Sequence, residues 1–473
     1  MKKFISAVAA AFIALPLINI QSADAISFPL KETIQSESAI VVNLDVGTVI
    51  HEKNADTKQM PGTLVNIMTA VVCLENCQNI NEEVTVHESV FEHLYESEYK
   101  DDLIWIDICN EDVLTVTDLL YAMMLTSSTE ASETIAYHVG DGNTDNFVKM
   151  MNDKAKEIGL EDTHFTNASG VYDPNQYTTA RDMATLTQYA LSVPLFETIS
   201  TTYKYNPSVP NPQNHKSHEE WVWTNSNIMM DEKDTSFYYS GARGIKTSNL
   251  EMGGRSIISM ASRDGNKYLA VLLKAPLQNE DGYDEYYHIE DCIKVFNWAF
   301  KYFSYQTVLA NTAEVGELPV SLAEGNDYVL ARPKDEISLL WYNDVDTATI
   351  SKDKIVWYNN KLQAPVAKDE PLGTVTLEYS GEELGTVELI AVSSVERSSS
   401  KYNWYVAKMF RKSSWFGKAF IFAGLLSLLY IVLCVYSYAV FKSKAKPMKP
   451  IYAVPKVDKN AQPRKKKPVS KDK

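Results

Sequence analysis

Cysteine and histidine are both scarce here, at five and eight among 473 residues. Cys434 falls inside an apolar run, which leaves Cys73, Cys77, Cys109 and Cys292. Four thiols allow three complete pairings, and spacing does not choose among them. Buried free thiols are the expectation. No histidine pair accompanies Cys73 and Cys77 at metal-ligand spacing, and no histidine–glutamate motif of the zinc-peptidase kind occurs. The scarcity argues against a zinc peptidase, and neither a metal nor a cofactor is expected. Nucleic acid is not an expected partner either. With 45% hydrophobic and 22% charged residues, the chain has enough apolar side chains for a sizeable core, and bulk disorder is excluded.

Charge is missing altogether from two stretches. The first runs from Phe4 to Ile20, behind Lys2 and Lys3 and ahead of the small-x-small triplet Ala23-Asp24-Ala25. That order predicts a cleaved signal peptide over 1–25. The second runs from Ala419 to Phe441 and predicts a transmembrane helix, since a helix of this length crosses the hydrocarbon core. Beyond it, residues 442–473 carry a net charge of +10, whereas the whole chain is at −16. The signal peptide, with this asymmetry, predicts a single-pass cell-membrane protein with a basic cytoplasmic tail and an acidic body on the extracytoplasmic side. The Lys465-Lys466-Lys467 run suits anionic lipid or a cytoplasmic partner.

Two apolar runs flank Asp45-Val46-Gly47, a hairpin signature. Leu64, Ile67, Met68, Val71 and Val72 follow at helical spacing. A capped apolar helix is predicted over Thr117–Met124, another after Ser127-Ser128-Thr129, a third around Phe147 and Met151, and a fourth from Thr179 on. Strands return at 254–276 and a helix at 289–303. Strands at both ends with helices between them make an α+β unit over 26–304. From Gln306 alternation takes over, with turns at Glu324-Gly325, Asn359-Asn360 and Gly381-Glu382. This predicts a small all-β domain over 305–396, then a juxtamembrane linker at 397–418 and the membrane helix at 419–441.

Several stretches carry a resemblance. They are Lys53–Asp56, Leu119–Ala122, Asn152–Leu160, Thr163–Asn167 and Thr179–Ala184, with Gly373-Thr374-Val375 and Gly385–Leu389 in the β-domain. In them the chain, over residues 30–396, resembles the bacterial serine-type D-alanyl-D-alanine carboxypeptidases of peptidase family S11, the low-molecular-weight penicillin-binding proteins. The resemblance implies a penicillin-binding-protein/β-lactamase-like transpeptidase fold. It also implies a peptidoglycan stem peptide or other D-Ala-D-Ala-like ligand, and three motifs, S-x-x-K, S-x-N and K-T-G. A serine attacks the substrate carbonyl, a lysine one helical turn on takes its proton, the second motif relays protons, and the third meets the substrate carboxylate.

Here the three motifs read Thr63-Leu64-Val65-Asn66, Ser127-Ser128-Thr129 and Lys246-Thr247-Ser248. By resemblance, Thr63 stands at the nucleophile, Asn66 at the general base and Ser127 at the second-motif serine. Thr129, Lys246, Thr247 and Ser248 stand at substrate-binding positions. An amide at 66 cannot accept a proton near neutral pH, and Ser248 crowds a place meant for glycine. Thr63 also suits a helix cap, and Lys246 a solvent-facing strand charge. Arg181 and His164 read as structural. The surviving backbone N–H groups at Thr63 and near Asn249 are expected to keep an oxyanion hole. Altogether the sequence predicts a catalytically impaired wall protein that binds peptide or acts as a scaffold. The alternatives are a slow carboxypeptidase, with Thr63 as nucleophile and Lys246 acting through Ser127, and a structural membrane protein whose tail recruits a partner. A β-lactamase is disfavoured by the extra β-domain and the anchor.

Overall fold

Alternating apolar residues build the first element. β1 (Ser38–Asn43) and β2 (Thr48–Lys53) form the expected hairpin. Asn43 Oδ1 accepts the N–H groups of Asp45 and Val46 at 3.0 and 3.1 Å, and Gly47 supplies the positive φ of +70° that closes the turn. The structure, a computed structural model, describes residues 28–207 and 222–444. The expected signal peptide and the basic tail beyond Lys444 lie outside the described residues.

A 3₁₀ turn at Gly62–Val65 leads into α1 (Asn66–Asn76). Then come β3 (Glu83–Thr85), β4 (Val113–Thr115), α2 (Val116–Tyr121), a π turn at Ala122–Thr126, α3 (Thr129–Val139), α4 (Thr144–Glu157), α5 (Ala180–Ser192) and α6 (Phe196–Ser200). β5 (Lys204–Tyr205), β6 (Trp223–Thr224), β7 (Ala242–Leu250), β8 (Gly254–Arg263), β9 (Asn266–Ala275) and α7 (Tyr287–Tyr302) follow. The helix expected from Thr117 starts at Val116, because Thr115 makes a capping box. Its Oγ1 accepts from Asp118 N–H at 3.0 Å, and its own N–H donates to Asp118 Oδ2 at 3.1 Å.

Five of these strands form one antiparallel sheet in the order β2-β1-β9-β8-β7, so both ends of the unit contribute, while β3 pairs with β4 and β5 with β6. Period-two alternation gives the sheet two buried faces. On one face Ile40, Val42, Ile258, Met260, Leu269, Val271 and Leu273 join the core made with α1 and α5. On the other, Tyr268 packs edge-on against Phe300 of α7. α1 runs through the middle of the helical layer, and every residue from Asn66 to Cys73 is buried. This is an α+β arrangement, as expected.

The described chain divides into two compact units. The first holds the residues up to Val315 with Arg332–Tyr358 and Leu372–Leu389. It includes β10 (Phe303–Leu309), which pairs antiparallel with β13 (Ile337–Tyr342). Phe28 stacks on Tyr342 at 5.0 Å and meets Phe303 and Trp341 edge-on at 5.6 Å. β14 (Ser351–Trp357) pairs with β16 (Pro371–Tyr379), and β17 (Glu382–Ala391) follows.

The second unit holds Gly316–Ala331, Asn359–Pro371 and the chain from Ile390 on. In it β11 (Gly316–Ser321) pairs antiparallel with β12 (Tyr328–Pro333) and parallel with β15 (Leu362–Gln363). The segment expected as a linker is helical, as α8 (Ser399–Lys412), capped by Ser398. α9 (Ser414–Lys444) is 31 residues long, with a mean hydropathy of 2.5 over its most apolar window. It is long and apolar enough to span a bilayer.

Candidate active site

Three elements of the first unit meet at the sequence-predicted positions. The 3₁₀ turn carries Thr63, the π turn ends at Ser127, and β7 carries Lys246, Thr247 and Ser248. On β7 the pairings Lys246↔Ile258 and Ser248↔Ser256 fix the register. Side chains two apart share a face, so Lys246 and Ser248 both point at the helical layer.

Lys246 is no solvent-facing charge, being 0% exposed. Its Nζ donates to Ser127 Oγ at 2.6 Å, Met123 O at 2.9 Å and Met124 O at 3.2 Å. The two carbonyls come from the π turn, and Met123 O also accepts Ser127 N–H at 3.1 Å. Burial, with no carboxylate partner among the described residues, pushes the Lys246 pKa down from the usual 10.5 to about 7. Ser127 sits in the left-handed region at φ +68°, a strained place for a non-glycine residue. Its Oγ lies 3.5 Å from Thr63 Oγ1. A file of polar atoms therefore runs Lys246–Ser127–Thr63.

Thr63 does not cap a helix; neither the 3₁₀ turn nor α1 has a side-chain cap bond. Its Oγ1 donates to Thr247 O at 2.8 Å. Its N–H donates to Ser248 Oγ at 3.0 Å. That amide is the one expected to serve an oxyanion hole, and a serine side chain already occupies it. The fit is close. A Cβ on Gly62, at φ +52°, would lie 2.1 Å from Ser248 Oγ, so glycine at 62 makes room for that serine. Thr247 Oγ1 lies 2.6 Å from Ser226 Oγ, and Ser226 N–H donates to Leu125 O at 2.9 Å.

Asn66 opens α1 and is fully buried. Its Nδ2 donates to Ser132 Oγ at 3.2 Å and Ala168 O at 3.1 Å, and its Oδ1 has no hydrogen-bond partner among the described residues. Thr129 begins α3, and its N–H donates to Ile104 O at 2.9 Å. One residue beyond Ser132, the Glu133 carboxyl is pushed up to about 7 by burial, which the Ser169 hydroxyl partly offsets. Away from the site, Arg181 pairs with Asp56 at 2.6 Å and Glu52 at 2.8 Å.

The structure thus brings Thr63, Ser127, Lys246, Thr247 and Ser248 into one hydrogen-bonded cluster, with Asn66 turned toward α3. Sequence reasoning missed Ser226, Ser132, Glu133 and the 168–170 loop. The loop had a local signal in Asn167-Ala168-Ser169-Gly170, where Asn167 Oδ1 accepts Gly170 N–H at 2.7 Å. A Cβ on Gly170, at φ +89°, would meet Gly62 O at 2.3 Å and Thr63 N at 2.7 Å, so this glycine lets the loop lie against the Thr63 turn. Gly170→Ala is expected to destabilise the protein by at least ~2 kcal/mol, read from urea unfolding in detergent micelles.

The model of the D-alanyl-D-alanine carboxypeptidase family matches residues 23–277, more than half of the chain. The chain belongs to that family. A second model, for the C-terminal domain of penicillin-binding protein 5, matches residues 303–397. Among curated relatives, the D-alanyl-D-alanine carboxypeptidase of Streptomyces sp. is 26% identical over 249 residues, covering 51% of this chain and 82% of that protein. The carboxypeptidase DacF of Bacillus subtilis is 22% identical over 364 residues, covering 77% and 87%. Among solved structures, penicillin binding protein 5 from Haemophilus influenzae superposes with a TM-score of 0.53 at 20% identity, over 78% of this chain and 100% of that one. The Streptomyces DD-transpeptidase superposes with a TM-score of 0.50 at 25% identity, over 57% and 99%. The carboxypeptidase family comprises cell-wall enzymes that bind the D-Ala-D-Ala stem peptides of peptidoglycan. α9 fits a single-pass anchor of such a protein.

Proposed function

We propose that this chain is a D-alanyl-D-alanine carboxypeptidase-like protein that has lost efficient acyl transfer and works at the cell wall by binding stem peptide or as a scaffold. α9 holds it in the membrane with the enzyme-like unit on the outer side. The observation that carries the reading is the bond from Thr63 N–H to Ser248 Oγ at 3.0 Å. A backbone donor already satisfied inside the protein is not free for an oxyanion.

Two more features support it. The Thr63 hydroxyl donates its hydrogen bond to the Thr247 carbonyl, an acceptor too weakly basic to take the proton. The base position holds Asn66, whose Nδ2 is committed to Ser132 and Ala168. Loss of general-base help costs about 10²–10⁴-fold, and loss of one oxyanion donor about 10²–10³-fold. If independent, the two defects slow acylation by about 10⁴–10⁷-fold. Binding survives such losses, because affinity and transition-state stabilisation are separable.

One observation favours a second reading. The Lys246–Ser127–Thr63 file, at 2.6 and 3.5 Å, would let a neutral Lys246 draw the Thr63 proton through Ser127 in a slow carboxypeptidase. The test is D-alanine release from a diacetyl-lysyl-D-alanyl-D-alanine peptide. The proposal expects no release above a Thr63→Ala control. Release that disappears in that control establishes the second reading instead.

A further inference from the structure

On the far side of α1 from the Thr63 turn, three side chains converge that no part of the family chemistry uses. Cys77 Sγ donates to Glu82 Oε1 at 3.1 Å, and His138 Nε2 lies 3.0 Å from the same oxygen. The thiol, carboxylate and imidazole donor atoms all lie within 4.8 Å of one another. We propose that Cys77, Glu82 and His138 form a binding site for a divalent transition-metal ion, with zinc the best match to their ligand types.

The donor set is one that zinc takes: a thiolate, an imidazole nitrogen and a carboxylate oxygen. In a tetrahedral site with bonds of 2.0–2.3 Å, the donor atoms stand about 3.3–3.8 Å apart. The spacings here require shifts of only about an ångström. The ligands are also held in place without an ion. Cys77 closes α1, with its N–H on Cys73 O at 2.9 Å. The loop that follows is pinned: Ile80 O accepts Thr117 N–H at 2.9 Å and Thr117 Oγ1 at 2.8 Å, and Glu82 O accepts Val116 N–H at 3.1 Å. His138 comes from the last turn of α3. An ion would therefore tie the end of α1, the loop into β3 and α3 together.

All three ligands are partly exposed. His138 also lines an open cleft of about 500 Å³, together with His87, Tyr137 and Asp141. Three protein ligands beside such a cleft leave a fourth coordination position for water or a small anionic ligand.

The proton balance is simple. Burial and the neighbouring Glu82 carboxylate hold the Cys77 thiol up at about 11, so the free protein carries S–H there. Metal binding forms the S–metal bond and breaks S–H, and one proton leaves to solvent per ion. His138 would bind through Nε2 and Glu82 through a carboxylate oxygen. Sequence spacing showed no metal motif because the histidine lies on α3, far along the chain from Cys77.

The test is a cobalt titration of the reduced, chelator-stripped, full-length protein in detergent. The reporter is the thiolate-to-cobalt charge-transfer band, with zinc as the displacing ion. The expected result is one saturating equivalent, proton release on binding and reversal by zinc. The band disappears in Cys77→Ser, affinity falls by at least about 10-fold in His138→Gln, and Cys109→Ser behaves as wild type. No band at saturating cobalt, or an undiminished band in Cys77→Ser, overturns the proposal. The histidine variant keeps the test decisive should the cysteine variant fold poorly.

Discussion

A variant carrying Thr63→Ser, Asn66→Lys, Thr129→Asn and Ser248→Gly is expected to be acylated by a fluorescent penicillin at least about 10³-fold faster than the native chain. Each change answers one observation. Ser248→Gly removes the hydroxyl that accepts Thr63 N–H and so frees an oxyanion donor. Asn66→Lys supplies a base where acceptors for an ammonium already stand, since Ser132 Oγ and Ala168 O now receive Asn66 Nδ2. The longer side chain enters a fully buried position, so an overpacking cost of ~1–3 kcal/mol is expected and should be checked by thermal unfolding. Thr63→Ser removes a β-branch, and Thr129→Asn restores the amide of the second motif. Single changes should recover less than the fourfold variant, because the other defect remains. A folded fourfold variant that stays unlabelled would place the fault outside these motifs.

Lys246 makes the second large prediction. Between pH 7 and pH 9, the native chain should gain about 2 kcal/mol of stability relative to a Lys246→Met variant. The direction follows from proton binding. Burial lowers the folded-state pKa to about 7, while the unfolded lysine stays at 10.5. The unfolded state then holds the extra proton between those values. The penalty is full below pH 7 and fades as pH rises toward 10.5, with a slope of up to about 1.4 kcal/mol per pH unit. The three oxygens around Nζ oppose the shift, because they favour the ammonium. Urea unfolding followed by tryptophan fluorescence in micelles at the two pH values measures the difference. A gap that does not change with pH would mean that Lys246 stays charged throughout.

Much of the fold was legible because it rests on local patterns. The hairpin at 38–53 shows itself in alternation and a glycine turn, and α1 in the spacing of Ile67, Met68, Val71 and Val72. The membrane helix shows itself in a stretch without charge. The site was legible only by position. Resemblance placed Thr63, Ser127, Lys246, Thr247 and Ser248, but not the bonds among them, which join residues 119–185 positions apart. The π turn at Ala122–Thr126 reads locally as plain helix, so the two carbonyls it offers to Lys246 could not be foreseen. Ser248 read as a crowding side chain. Only the fold shows its hydroxyl on the Thr63 amide, against the expectation that backbone donors outlast side-chain change. Glu133 and Ser226 carry no local signal at all, since burial and a strand neighbour bring them into play.

The central claim is that the native chain does not acylate. The most direct measurement incubates the full-length protein with a fluorescent penicillin for long times, beside a Thr63→Ala variant, and reads covalent label on a denaturing gel. The account predicts no label on either protein. A label on the native chain that vanishes in Thr63→Ala would contradict it and make Thr63 a working nucleophile.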